Sequence, residues 1–328
     1  MRAIRISRTG GPEVLDAVEI EAPRPGPGEI LVRNQAIGLN FIDTYHRTGL
    51  YPVKLPSGLG MEGAGEVIET GDGVDRFTPG DLAAYASGPI GAYAEFHVVK
   101  AARAVKPPPG ITAEVAAAAL LKGMTAEFLL RRCYLVQPDQ TILVHAAAGG
   151  VGSILVQWAK ALGATVIATV GSEEKAARAR DLGADHTILY RDQDVAAEVR
   201  RLTDGAGVPV VYDSVGAATF EASLMSLARR GLMVSYGNAS GPAPAILPAR
   251  LSQLGSVFLT RPTLFDYVAT TQELDASAAA LFAVIASGQV RIDIGQTFPL
   301  AQARAAHEAM EGRETVGASL LIPRIVTP

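Results

Sequence analysis

One cysteine, Cys133, stands in 328 residues. An intrachain disulfide is therefore excluded, and a lone thiol fits a reducing compartment. No apolar run approaches the roughly 20 residues that cross a bilayer. The opening stretch, MRAIRISRTGG, carries no signal-peptide apolar region. The expectation is a soluble, cytoplasmic protein without a membrane partner. No Lys/Arg block interrupts a net charge of −4, which argues against nucleic acid as the main partner. Charged residues make up only 19% against 48% hydrophobic, enough for a sizeable core and too apolar for disorder. The five histidines, His46, His97, His145, His186 and His307, show no close ligand spacing. There is no internal repeat. No Gly-x-Ser-x-Gly turn and no paired carboxylates argue for hydrolysis.

What is present centres on Thr141–Ala161, TILVHAAAGGVGSILVQWAKA. Ile142, Leu143 and Val144 suit a buried strand. A small-residue turn follows, Ala147-x-Gly149-x-x-Gly152. Val151, Leu155, Trp158 and Leu162 then recur at helical spacing, and Gly163 stands where a helix stops. Strand, glycine turn and helix together aim backbone N–H groups and a helix N-terminus at one point, which suits a pyrophosphate. The pattern departs from G-x-G-x-x-G at its first position, Ala147.

The following residues continue the alternation. Thr165–Val170 reads as a second strand, and Ser172 as the N-cap of a helix over Glu173–Leu182. His186–Tyr190 and Val208–Tyr212 read as strands, with a helix over Asp194–Leu202 between them. A helix over Phe220–Ala228 and a strand over Leu232–Tyr236 follow, and Gly255–Thr260 is one strand more. Such alternation predicts an α/β fold with a doubly wound parallel Rossmann sheet. Its ligand belongs outside the strands' carboxyl ends.

The first hundred residues read as β structure, with strands over Ala3–Ser7, Glu29–Ile37, Gly65–Glu69 and Ala92–Val99. Gly38–Gly60 has no clear periodicity, and a segment of this length is more often functional than structural. A helix over Ala113–Leu121 is expected to break at Lys122-Gly123-Met124-Thr125 before a second helical run to Arg132. Beyond the sheet, helices are expected over Thr271–Gly288 and Leu300–Met310, and a short strand over Ala318–Pro323.

From Gly10-Gly11-Pro12-Glu13-Val14-Leu15 to Ser319-Leu320-Leu321-Ile322-Pro323 the chain resembles quinone oxidoreductases of the zeta-crystallin type. These are zinc-free members of the medium-chain dehydrogenase/reductase superfamily. Asn40-Phe41-Ile42-Asp43-Thr44-Tyr45, Ala146–Gly152, Val211–Gly216, Gly231–Asn238 and Leu259–Pro262 carry the resemblance most specifically. It implies a GroES-like, β-rich catalytic domain built from both chain ends (1–122 and 262–328) and a Rossmann domain (123–261). A cleft between them and a homodimer joined through the Rossmann sheet edges are implied as well.

The resemblance also implies NADPH as cofactor. Asn40, Ile42 and Tyr45 would lie near the nicotinamide, and Lys122 and Thr125 would touch it too. Gly149, Gly150 and Val151 would hold the pyrophosphate. Gly171, Ser172, Lys175 and Tyr190 would surround the adenosine and its 2′-phosphate. Tyr236, Gly237, Asn238, Phe258, Thr260 and Arg261 would line the other face.

The residues bear on these expectations directly. An NAD enzyme usually ends its second strand in Asp or Glu, on the ribose 2′-OH; here stand Thr169-Val170-Gly171-Ser172. Lys175 reads equally as a solvated helix cation beside Glu173 and Glu174, and only the resemblance moves it toward phosphate. The superfamily's zinc enzymes carry G-H-E; this chain has Gly60-Met61-Glu62, with Asn40 and no cysteine upstream. Met61 is a poor Zn²⁺ ligand, so no metal is expected. Cys133 has no His or Asp motif beside it and reads as packed and inert. Asp213 reads as a turn residue.

Asn40, Tyr45 and Tyr51 are the catalytic candidates, and a small-molecule quinone the expected substrate. Relatives are associated with one-electron transfer, and the residues do not decide between one and two electrons. Two alternatives stand beside this reading. One is an enoyl-thioester or enone reductase with Tyr51 as proton donor. The other is an NADPH-binding structural or RNA-binding protein.

Overall fold

The alternation after Thr141 folds into six parallel strands in a computed structural model that describes residues 1–323. Their order across the sheet is His186–Leu189, Thr165–Val170, Thr141–Val144, Val208–Asp213, Leu227–Ser235 and Phe258–Thr260. The strand entering the glycine turn is thus central, with later strands added on either side. This is the doubly wound arrangement. Leu143, Ile167, Val211 and Met233, from four neighbouring strands, are fully buried in one cluster with Phe220 and Leu224 from the helix Phe220–Ser226.

The chain divides into two compact units. One comprises Met1–Met124, Val268–Ala286 and the residues from Ile292 on; the other comprises Thr125–Tyr267 and Ser287–Arg291. The resemblance implies divisions at 122 and 261, and residues 324–328, which it assigns to the first domain, lie outside the described residues. Ser287–Arg291 joins the second unit through Gln157, whose side chain both donates to the Arg291 carbonyl (3.0 Å) and accepts from its N–H (2.9 Å).

The first unit is built on a seven-stranded sheet. Its long strand Glu29–Leu39 pairs antiparallel with Glu62–Thr70 on one side and with the late strand Ala318–Ile322 on the other. Leu320 sits opposite Gly38. The late chain therefore returns to the early one, as the GroES-like resemblance implies and periodicity alone could not show.

Several elements differ from the sequence reading. Lys122–Thr125 does not break the helix. Ala113–Phe128 is continuous and runs into a π-helical turn, Leu129–Cys133. Gly123 serves packing instead of punctuation: a Cβ there would overlap the side chain of Leu281 on the helix Thr271–Ala286. Gly38–Gly60 is not all loop; it contains the helix Phe41–Thr48. The last strand of the parallel sheet is shorter than Gly255–Thr260. Gly255 (φ 98°) and Ser256 (φ 57°) take left-handed conformations, so the strand starts at Phe258. Leu227–Ser235 begins five residues earlier than read, and the preceding helix ends at Ser226.

Candidate functional site

In the parallel-sheet unit the site begins where Val144 leaves the sheet. Ala146 adopts φ 51°, an uncommon conformation for a residue with a Cβ. It turns the chain so that the Ala147 N–H donates to the Thr169 carbonyl at 3.2 Å. Gly152, in the first turn of the helix Gly150–Ala161, then lies so close that a Cβ would overlap the Ala146 carbonyl oxygen. A Cβ on Gly149 would be only tight, at 3.1 Å from the same oxygen. Gly149 is the N-cap and offers no side chain to its helix, so no side chain caps the first-turn amides. They carry the partial positive charge that favours an anion. A pyrophosphate fits this cradle.

A second turn lies at the end of Thr165–Val170. Ser172 caps the helix Glu173–Asp181, its Oγ accepting the Lys175 N–H at 3.3 Å. A Cβ on Gly171 would come within 2.8 Å of the Tyr190 hydroxyl. Gly171, Ser172, Lys175 and Tyr190 are therefore gathered at one corner, and no carboxylate ends the strand. In a third turn the Tyr236 N–H donates to the Asp213 carbonyl (2.8 Å), and a Cβ on Gly237 would overlap the Ser214 carbonyl. Asn238 continues this turn. Phe258, Thr260 and Arg261 lie on and just after the last strand, with Phe258 60% exposed.

Beneath these turns runs a buried polar chain that the sequence did not reveal. Asp213 accepts from the N–H groups of Val215 and Gly216 and from the Thr219 hydroxyl. The Ser223 hydroxyl donates to the same carboxylate at 2.6 Å and also contacts His145 Nε2 at 2.9 Å. The one Ser223 proton is committed to Asp213, so His145 carries its proton on Nε2. Its Nδ1 then accepts from Thr169 Oγ1 at 2.8 Å. Burial pushes the His145 pKa down, opposed by Asp213, which keeps the ring neutral as this pattern needs. Asp213 is thus a turn-holding residue, and it couples three strand ends.

In the other unit, Asn40, Ile42 and Tyr45 are placed by the helix Phe41–Thr48. Asn40 is its N-cap, and the Asn40 N–H donates to Asp43 Oδ2 at 2.9 Å. Tyr45 is buried, with the Tyr51 ring 5.3 Å away edge-on and the Tyr51 N–H donating to the Tyr45 carbonyl. The three catalytic candidates therefore belong to one local structure. Lys122 reaches the same region from its helix: its Nζ lies 3.1 Å from Glu62 Oε2, which also accepts from Asn40 Nδ2 at 2.7 Å. Thr125 is buried one turn further along that helix, within the second unit.

A long-range polar chain anchors the Asn40 helix. Tyr93 donates to Asp43 Oδ2 at 2.8 Å and meets His307 Nε2 at 3.1 Å. Arg47 donates to His307 Nδ1 at 3.0 Å and pairs bidentately with Glu311 at 2.7 Å. Burial pushes the Asp43 carboxyl up to about 7, against the hydrogen bonds from Tyr93 and Asn40. Burial, then the Arg47 charge, pushes His307 down to about 3.

The two groups act oppositely on stability. A raised carboxyl lets the folded state hold its proton longer, so Asp43 lowers stability as pH rises from about 4 to 7. A depressed imidazole lowers it as pH falls from 6.5 to 3, and over the shared window the effects largely cancel. Asp43→Asn removes only the first. The unfolding free energy of the variant relative to wild type should therefore rise with pH between about 4.5 and 6.5, by on the order of 1 kcal/mol per pH unit. Denaturant titrations across that range check this; a pH-independent difference contradicts it.

Cys133 is half-buried and burial raises its pKa, opposed by a hydrogen bond with Tyr267. That agrees with an inert thiol. Among the described residues, no three His, Cys, Asp or Glu side chains are grouped to hold a metal.

The Zinc-binding dehydrogenase family matches residues 150–283, and the Alcohol dehydrogenase GroES-like domain family matches 26–109. A quinone oxidoreductase from Pseudomonas aeruginosa is 53% identical over 98% of this chain and 99% of its own length. The chain belongs to the quinone oxidoreductase family. Another member, the Escherichia coli quinone oxidoreductase, has been solved in complex with NADPH. It superposes with a TM-score of 0.97 at 49% identity, covering 98% of this chain and 100% of that one. A 2-haloacrylate reductase from a Burkholderia species is 44% identical, over 97% of this chain and 98% of its own. The zinc in the matched family's description has no fitting donor set at Asn40, Met61 and Glu62. One is an amide, one a thioether, and the carboxylate is engaged by an ammonium.

Proposed function

We propose that the protein reduces quinones with NADPH. The full-length likeness to quinone oxidoreductases, one of them solved with NADPH, carries this reading. NADPH supplies the reducing electrons from its nicotinamide. The second unit is the NADPH-binding domain. Its Gly149, Gly150 and Val151 hold the pyrophosphate at the helix N-terminus. Gly171, Ser172, Lys175 and Tyr190 take the adenosine and its 2′-phosphate, while Tyr236, Gly237 and Asn238 line another face with Phe258, Thr260 and Arg261. The first unit is the catalytic domain. Asn40, Ile42, Tyr45 and Lys122, with Thr125 beyond them, orient the nicotinamide end, and Tyr45 and Tyr51 give a flat substrate an aromatic wall. These residues act by orienting and by excluding water. Oxidation of NADPH with a quinone acceptor tests the reading.

Cofactor choice rests on the corner at Ser172. No acid meets the ribose there, and Lys175 lies one turn into the helix. A charged contact to the 2′-phosphate is worth about 1.5–3 kcal/mol, roughly 10- to 150-fold in affinity. Lys175→Ala should raise the Michaelis constant for NADPH by such a factor and leave that for NADH nearly unchanged. Equal effects on both would return Lys175 to a solvated helix cation.

The protein pairs as a homodimer through the strand Phe258–Thr260. Among the described residues this strand has a neighbour on one side only, Leu227–Ser235, and it carries an exposed phenylalanine. An open edge with an apolar side chain favours pairing with a second copy. Analytical ultracentrifugation at micromolar concentration should show a dimer, and Phe258→Glu should shift it toward monomer. A monomeric wild type contradicts the pairing. The reading places the enzyme in the cytoplasm; among the described residues no helix is long and apolar enough to cross a membrane.

A further inference from the structure

Glu62 is a carboxylate near the catalytic candidates whose side chain is fully buried. An ionised carboxylate in such a place must be paired and hydrogen-bonded. Its partners are specific. Oε1 accepts the Leu121 N–H at 2.6 Å. Oε2 accepts Asn40 Nδ2 at 2.7 Å and Lys122 Nζ at 3.1 Å, and the Lys122 side chain is itself only 6% exposed. The strand opposite makes room for it: Gly38 is the register partner of Glu62, and a Cβ on Gly38 would overlap the carboxylate. One buried anion thus takes three donors, and two of them belong to side chains assigned above to the nicotinamide end.

The chemistry fixes more than distance. Only the NH₂ of an amide can donate to a carboxylate, so the Asn40 side chain cannot be turned the other way round. Lys122 is a flexible chain with three donors, and its ammonium is tied down by the same oxygen. We infer that Glu62 is a positioning residue for NADPH: it sets the amide orientation of Asn40 and the placement of the Lys122 ammonium, and acts on the nicotinamide end through them. This rests on the proposed NADPH site and assigns Glu62 no contact with the cofactor.

Glu62→Gln tests it. Glutamine keeps the shape but offers one acceptor oxygen where three donors converge, and turns an NH₂ toward the others. NADPH affinity is read by fluorescence titration. The affinity of 2′-phospho-ADP-ribose, which lacks the nicotinamide, is read by calorimetry. Glu62→Gln should weaken NADPH about tenfold and change the fragment less than about twofold. In an Asn40→Ala, Lys122→Ala background the same substitution should cost under about threefold, because its effect runs through those two side chains. Equal weakening of both ligands, or an equal factor in both backgrounds, overturns the inference. Should Glu62→Gln not fold, Glu62→Asp retains the charge but withdraws it by one methylene. Selective loss of NADPH over the fragment supports the role, and equal loss overturns it. Both readouts are affinities. A wild type that binds NADPH yet reduces no quinone therefore overturns the proposed substrate, while the affinities still decide the role of Glu62.

Discussion

Gly152→Ala should weaken NADPH binding at least a hundredfold and destabilise the Rossmann unit by several kcal/mol. The new Cβ would overlap a backbone carbonyl, that of Ala146, and would press on the Ala147 Cα at 2.9 Å. Backbone yields less readily than the end of a side chain. Ala146 already sits at φ 51°, and Ala147 is fully buried and tied to the Thr169 carbonyl. Relief requires moving the helix Gly150–Ala161 away from its strand, which displaces the amides proposed to hold the pyrophosphate. A hundredfold loss corresponds to about 2.7 kcal/mol. Gly149→Ala is the internal control for packing. Its Cβ would lie 3.1 Å from the same oxygen, a contact eased by a few tenths of an ångström, and its φ of −81° suits any residue. Its stability should fall by under about 1 kcal/mol. Fluorescence titration and thermal unfolding of both variants check the pair. Near-normal NADPH affinity in Gly152→Ala contradicts the assignment of this turn.

The second large effect separates orientation from proton donation. Asn40→Ala should lower kcat/KM for a quinone about a hundredfold, and Tyr45→Ala by a comparable factor, through a misplaced nicotinamide. Tyr51→Phe should leave quinone turnover within a few-fold of wild type. A reduced quinone carries its negative charge on oxygen, delocalised over an aromatic ring, and water can protonate it after transfer. Reduction of an enoyl thioester or an acrylate leaves a carbanion-like enolate that must be protonated at carbon. A positioned acid contributes about 10²–10⁴-fold there. The distinction matters because a 2-haloacrylate reductase stands among the relatives. Should Tyr51→Phe lower turnover a hundredfold with unchanged NADPH affinity, proton donation belongs to the chemistry and the enone reading takes over.

Much of the parallel-sheet unit was legible because its signals are local. Strand, turn and helix follow one another within Thr141–Ala161, and the N-cap at Ser172 formed as read. The misreadings have a common physical cause: contacts distant in sequence. Gly123 looks like a helix stop until Leu281 is seen against it. The helix Phe41–Thr48 escaped periodicity because Asp43, Thr44, His46 and Arg47 are buried despite being polar. Their partners lie far away, Arg47 meeting His307 across 260 positions and Asp43 meeting Tyr93 across 50. Glu62 was weighed only as a metal ligand, because its actual cation, Lys122, is 60 residues on. The chain His145–Ser223–Asp213 gives no sequence signal either, since each link joins a different strand end or helix. Pattern reading finds apolar faces; buried polar networks have no period.

Steady-state oxidation of NADPH by the purified protein, followed at fixed NADPH against a series of quinones and a matched series of enoyl thioesters and acrylates, decides the substrate class. Quinones should support NADPH oxidation without added metal and much faster than NADH oxidation, and the enoyl and acrylate series should support little or none. Faster turnover of enoyl thioesters or acrylates than of any quinone would contradict the quinone reading.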